Sequence, residues 1–244
     1  MAASGSAALA IAAVASLSCA HVKPYYETGE ICALTRPDPA RVLPATLIDD
    51  AEEGRDRIVA QDGRDGFLYL YFDDATEIVR NAGDHGSGAH PVSGGANGSR
   101  CALNLRGKLA DRLHPFAGLG LNMRDPVAPY DASRYAGVSF MARRSADSTT
   151  RIVVKFPDWN TEPPGECSEC FNHFHREIVL DEKWTRYTVT FDSLEQYPEW
   201  GNPRPEKVDA TRLFGVRFEA NSSGHPLDIW IDDIAFIEKT PGQK

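Results

Sequence analysis

An all-β fold, a β-sandwich of jelly-roll type, is what this sequence predicts. Three observations carry that reading: short apolar runs, several of them strictly alternating; turn residues between the runs; and no stretch of comparable length with a helical period. Phe67 to Phe72, Cys101 to Leu105, Gly137 to Ala142, Thr150 to Phe156, Tyr187 to Phe191, Leu213 to Glu219 and Leu227 to Ile237 each suit a strand. In one of them Tyr187, Val189 and Phe191 oppose Arg186, Thr188 and Thr190. In another Phe214, Val216 and Phe218 oppose Gly215, Arg217 and Glu219. Gly, Pro, Asn and Asp punctuate the intervals, as they do in sandwiches and jelly rolls. The Gly- and Ser-rich stretch from Asn81 to Ser99 is read as a loop within one domain, because the strands before it are too few to close a core alone.

A chain of 244 residues with 42% hydrophobic and 25% charged residues has the material for a buried core. Its formal net charge of −9 repels phosphate backbones and anionic headgroups, and no basic stripe with interleaved aromatics offsets that field. Nucleic acid is therefore excluded as a partner.

Met1 to Ser18 carry no charge and are mostly Ala, Leu, Ile and Val, ending in small residues around Cys19. The stretch reads as a secretory signal and resembles a bacterial lipoprotein signal, which implies acylation at Cys19. Residues 1–19 are thus a signal, and 20–45, with Pro24, Pro37, Pro39 and Pro44, a flexible tether. The sandwich domain is expected over 46–239 and a short tail over 240–244. Contact with a membrane is expected through the lipid alone, and the chain is expected to be a monomer in the cell envelope or outside the cell. With Cys19 set aside, Cys32, Cys101, Cys167 and Cys170 remain, and export favours their oxidation. Three pairings are possible. The closeness of Cys167 to Cys170 favours that pair, leaving Cys32 with Cys101.

Leu47-Ile48-Asp49-Asp50-Ala51-Glu52-Glu53-Gly54 opens the domain, and Leu227-Asp228-Ile229-Trp230-Ile231-Asp232-Asp233-Ile234 nearly closes it. Between them stand Tyr130 to Phe140, Trp184 to Phe191 and Leu213 to Phe218. In this order the segments resemble the strands of carbohydrate-binding modules with the galactose-binding-domain-like jelly roll, most nearly those of family 11. The resemblance implies a structural calcium held by acidic residues of the terminal strands: Asp50, Glu52 and Asp232, with Asp233 a weaker candidate. Hard oxygen ligands gathered where chain ends meet suit that ion, whereas carboxylates at a sheet edge also serve simply to face water and discourage aggregation.

Sugar sites combine aromatic faces with a few polar groups placed for hydroxyls. Asp158, Trp159, Tyr197, Trp200, Arg217 and Glu219 are the candidates. In family 11 the ligand lies across one concave sheet face with Tyr, Arg and Asp contacts. This sequence departs from that pattern where a late strand offers Glu219 and Ala220 in place of a tyrosine. Trp159 and Trp200 suit burial under a loop as well as stacking on sugar, and Arg217 and Glu219 suit a cross-strand ion pair as well as a sugar contact. Tyr69 and Tyr71 suit the cleft as well, although a sheet face shared with core neighbours is the favoured expectation for them.

Cys167, Cys170, His173 and His175 are too crowded for a zinc site, which generally joins two separated ligand pairs. His85, His90 and His114 are scattered, and no nucleophile elbow, zinc-protease helix or phosphate loop occurs. Non-catalytic binding of polysaccharide is the function these features favour. A polysaccharide-active hydrolase or lyase and a structural or adhesive envelope protein are the alternatives.

Overall fold

The computed structural model describes residue 32 and residues 43–81, 84, 86–240 and 242. The signal with Cys19, most of the tether, His85 and most of the tail lie outside the described residues. Among those described, no helix is long and apolar enough to cross a membrane.

Two antiparallel sheets face one another. Strands β1 (Leu47–Asp49), β3 (Glu77–Val79), β4 (Val92–Ser93), β5 (Cys101–Lys108), β7 (Tyr135–Arg144), β10 (Thr185–Thr190) and β12 (Pro226–Glu238) make the larger. Its order is β10-β7-β12-β5-β3, with β1 beside β12 and β4 beside β5. The smaller contains β2 (Leu68–Phe72), β6 (Ala117–Asn122), β8 (Arg151–Phe156), β9 (Phe174–Val179) and β11 (Gly215–Ala220), ordered β2-β6-β11-β8-β9. Single turns of 3-10 helix stand at Phe191–Ser193 and Ala210–Arg212.

Alternation decides which side of each strand enters the core. Leu68 and Leu70, Leu119 and Leu121, Val216 and Phe218, and Ile152, Val154 and Phe156 point inward from the smaller sheet. Val138, Phe140, Ile229 and Ile231 meet them from the larger. Phe140 and Phe218 touch edge to face across the two layers, ring centres 4.9 Å apart.

The chain's entry into the domain is pinned by a buried cation. Arg64 donates to the carbonyls of Ala45 and Leu47, both at 2.8 Å, and to the Tyr130 hydroxyl at 2.8 Å, while Asp62 pairs with it at 3.0 Å. A second pin lies further upstream. Cys32 is buried and bonded to Cys101 at the start of β5, so the tether is fixed to the sheet at that residue. Cys167 and Cys170 form the other disulfide, with Cα atoms 5.1 Å apart.

Candidate functional site: the outer face of the smaller sheet

Two lines of residues cross all five strands of the smaller sheet on the side away from the core. The first runs Tyr69, Gly120, Arg217, Lys155, His175; the second runs Tyr71, Gly118, Glu219, Val153, Glu177. Five strands span about 19 Å at the usual interstrand spacing. Leu68 and Leu70 take the core side of β2, so Tyr69 and Tyr71 face outward, contrary to the expectation that they would share a face with core neighbours.

Gly118 and Gly120 shape this surface. A Cβ at Gly120 would overlap the Tyr69 ring, and one at Gly118 would overlap the Tyr71 ring. The tyrosines therefore lie flat across β6 and reach β11. There the Tyr69 hydroxyl accepts from Arg217 Nε at 2.8 Å, and the Tyr71 hydroxyl donates to Glu219 at 3.2 Å.

Arg217 is the hub. It pairs with Glu162 at 2.7 Å, meets His173 Nε2 at 2.8 Å, and stands over the Tyr69 and Tyr71 rings at 5.9 and 5.5 Å. Burial and the adjacent guanidinium push the His173 imidazole down to about 4, so it is neutral at ordinary pH and accepts from Arg217. Despite its burial, the Glu162 carboxyl is held below its usual range, with the charge of the adjoining Arg217 guanidinium favouring its ionised form. Burial raises both tyrosine hydroxyls, Tyr71 well above the ordinary value. Lys155 pairs with Glu219 at 2.6 Å, so the Arg217–Glu162 and Lys155–Glu219 charges balance within the surface.

At the β9 edge the segment after β10 runs alongside. His175 and Glu195 exchange backbone hydrogen bonds, and the Tyr197 ring stacks on His175 with centres 4.2 Å apart. Asn172 holds the loop by donating to the carbonyls of Tyr197 and Trp200 and by accepting from the Tyr197 N–H. Tyr197 is 37% exposed and Trp200 41%, both at the rim.

Arg217, Glu219 and Tyr197 are thus brought to one surface, with Trp200 on the adjoining loop. Asp158 and Trp159 are not. Asp158 is fully buried, its carboxylate accepting from Thr161 Oγ1 at 2.8 Å and from the backbone of Asn160 and Asp209. It is an anchor for the loop after β8 and has no face left for a sugar. Trp159 stacks on Phe214 with Arg212 over its ring at 5.3 Å, and is half-buried at the end of the sandwich. A hollow of about 600 Å³ near that end is lined by Tyr135, Asn160, Phe191 and Val208. It stands apart from the tyrosine surface and shares no lining residue with it.

Three of the four expected calcium ligands, Glu52, Asp232 and Asp233, already have partners within the protein. Glu52 Oε1 already accepts from Ser99 Oγ, Arg100 N and Cys101 N, and its Oε2 pairs with Arg100 at 3.0 Å. Asp232 accepts from the backbone N–H of Ala96 at 2.8 Å and of Asp233 at 2.7 Å. Asp233 lies 3.6 Å from Arg186. Among the described residues no group of three or more His, Cys, Asp or Glu side chains gathers to hold a metal ion. Backbone N–H groups, the Ser99 hydroxyl and the Arg100 guanidinium thus occupy the oxygens of Glu52, and backbone N–H groups those of Asp232.

No family model and no curated protein matches the chain. Solved structures do. The family 11 carbohydrate-binding module of a cellulosomal cellulase of Clostridium thermocellum superposes with a TM-score of 0.55 at 12% identity, over 84% of this chain and 100% of that one. A family 11 module from the same organism, in complex with a β-1,3-1,4-mixed-linked tetrasaccharide, gives 0.54 at 14%, over 79% and 95%. A family 30 carbohydrate-binding module gives 0.51 at 11%, over 70% and 92%. At such identities the likeness is one of fold, and the fold is the carbohydrate-binding-module sandwich expected from the sequence.

Proposed function

We propose that this chain binds polysaccharide without cleaving it, and that the glycan lies across the two residue lines on the outer face of the smaller sheet. The observation that carries the reading is the pair of tyrosine rings laid over Gly118 and Gly120 beside Arg217, Lys155 and Glu219. It is a rigid surface of aromatic faces and fixed polar groups, suited to a chain of sugar rings. The fold shared with the family 11 and family 30 modules supports it.

The same geometry speaks against catalysis. A lyase needs a base, and the tyrosine hydroxyls are shifted away from ionisation while the His173 Nε2 lone pair is engaged by Arg217. A glycosidase needs a proton-bearing carboxyl opposite a free carboxylate. Here Glu162, Glu219 and Glu177 each sit in an ion pair, with Arg217, Lys155 and Arg151. The two disulfides suit an oxidising compartment, which supports export, and we infer acylation at Cys19 as the means of holding the domain at the cell envelope or outer membrane.

Affinity electrophoresis of the full chain through gels of neutral polysaccharides, mixed-linkage β-glucan first, tests the function. Retardation without new reducing ends or unsaturated sugars is expected, and Tyr69→Ala should abolish it while the protein stays folded. Product formation would make the chain an enzyme. Failure to bind any glycan would leave the structural or adhesive role.

A further inference from the structure

The larger sheet carries a separate constellation on its own outer face. Arg143 in β7 stands opposite Trp230 in β12, and Trp184, the residue before β10, continues the line on the other side. Their neighbours Ala142, Ile229 and Ile231 are buried in the core, so alternation turns Arg143 and Trp230 outward. The guanidinium carbon lies 4.5 Å from the centre of the Trp230 ring and 5.3 Å from that of Trp184. The turn after β4 backs Trp230, since a Cβ at Gly94 would stand 3.2 Å from its ring. Arg143 is therefore held in place by cation–π contact on both sides.

What Arg143 lacks is an acceptor. Among the described residues it forms no hydrogen bond and no ion pair, and none of its nitrogens is both unpaired and sealed from water. Asp228 is the carboxylate whose field reaches it, but the Asp228 oxygens already accept from Asn104 Nδ2 at 2.9 Å and Ser145 Oγ at 2.6 Å. By contrast both cations of the tyrosine surface, Arg217 and Lys155, are spent on Glu162 and Glu219. A fixed planar guanidinium with open donors, walled by indole, matches a carboxylate presented edge-on by a sugar ring.

We propose that Arg143, Trp184 and Trp230 form a second glycan site, specific for the carboxylate of a uronic acid residue. It lies on the opposite outer face of the sandwich from the tyrosine surface and does not depend on it. Acidic sugars bind the larger sheet through Arg143, and neutral ones bind the smaller.

Calorimetric titration of the full chain with oligogalacturonate at low ionic strength tests this. Saturable binding is expected, absent with the methyl-esterified oligomer and unchanged in Tyr69→Ala. Arg143→Gln should weaken it about tenfold or more, the loss of a charge-assisted pair, and Arg143→Lys should recover little because the planar fork is gone. Thermal melts establish that each variant is folded. Should Arg143→Gln not fold, shifts of the Trp184 and Trp230 indole N–H resonances on titrating the wild type replace it. No binding by the wild type, equal affinity in a folded Arg143→Gln, still indole signals, loss in Tyr69→Ala, or a preference for a sulfated galactan would each overturn the proposal. Only loss in Tyr69→Ala would return acidic sugars to the tyrosine surface, and failure of that surface with neutral glycans leaves the Arg143 result standing.

Discussion

Gly120 has no side chain, and the Tyr69 ring occupies the space one would fill. What a methyl would meet is the far end of a side chain that can swing away, so the backbone need not move. Gly120→Ala should therefore cost little stability, about 1 kcal/mol, while tilting the ring and breaking the Tyr69–Arg217 hydrogen bond. A melt close to that of the wild type with weakened glycan retardation is the expected pair of results; unchanged retardation would mean that the Tyr69 ring makes no sugar contact. Trp159→Ala should behave in the opposite way. It opens a gap against Phe214, lowering the melting temperature with affinity intact. At this scale the sequence disclosed Arg217 and Glu219, because alternation along β11 put them opposite Phe218. It did not disclose Lys155, Glu162, His173 or the two glycines, because their roles arise from cross-strand register, which no single strand encodes. Asp158 and Trp159 were misplaced for a similar reason: their loop turns inward to be pinned by Asp209 N–H and Phe214.

Among the elements, the seven expected strands are present, several with longer limits, as in β5, β7 and β12. β6 and β9 are strands beyond those seven. β6 carries Gly118 and Gly120 on its outer side, which lowers its apparent strand character although Ala117, Leu119 and Leu121 alternate inward. β9 begins at Phe174, directly after a Cys and His segment that invites attention as metal chemistry. The short β3 and β4 exist by pairing with β5 and have too few residues to show a period. Both cysteine pairs are those the sequence favours, and they differ in what they hold. Cys32–Cys101 spans 69 residues and ties the incoming chain to β5, whereas Cys167–Cys170 spans 3 and closes a single turn. Chain entropy alone assigns about 4 kcal/mol to the first and about 2 kcal/mol to the second. The double variant Cys32→Ser with Cys101→Ser should lose more melting temperature than Cys167→Ser with Cys170→Ser. The reverse order in thermal melts would show that the Cys167 turn, through Asn172 and the Tyr197 loop, contributes more than its size indicates.

For the molecule as a whole, the acidic balance of the chain leaves a cost where the two terminal strands meet. Asp49 is buried, its Oδ1 has no hydrogen-bond partner among the described residues, and burial together with the charges of Asp50, Asp232 and Glu53 raises its carboxyl well above the ordinary range. Asp232 nearby is pushed up to about 7, chiefly by burial. A carboxyl raised on folding favours the folded state while protonated, so that contribution is whole below about pH 4 and is lost as pH rises through the folded value. Asp49→Asn keeps the shape and removes the charge. It should match the wild type near pH 4 and melt higher at pH 8, with the gap opening between. Chelator should leave both melts unchanged, because Glu52 and Asp232 are satisfied by N–H groups and Arg100 without a cation. A variant that instead melts lower than the wild type in calcium chloride, and equal to it after chelation, would mean that Asp49 is a ligand and that a cation neutralises the terminal strands after all.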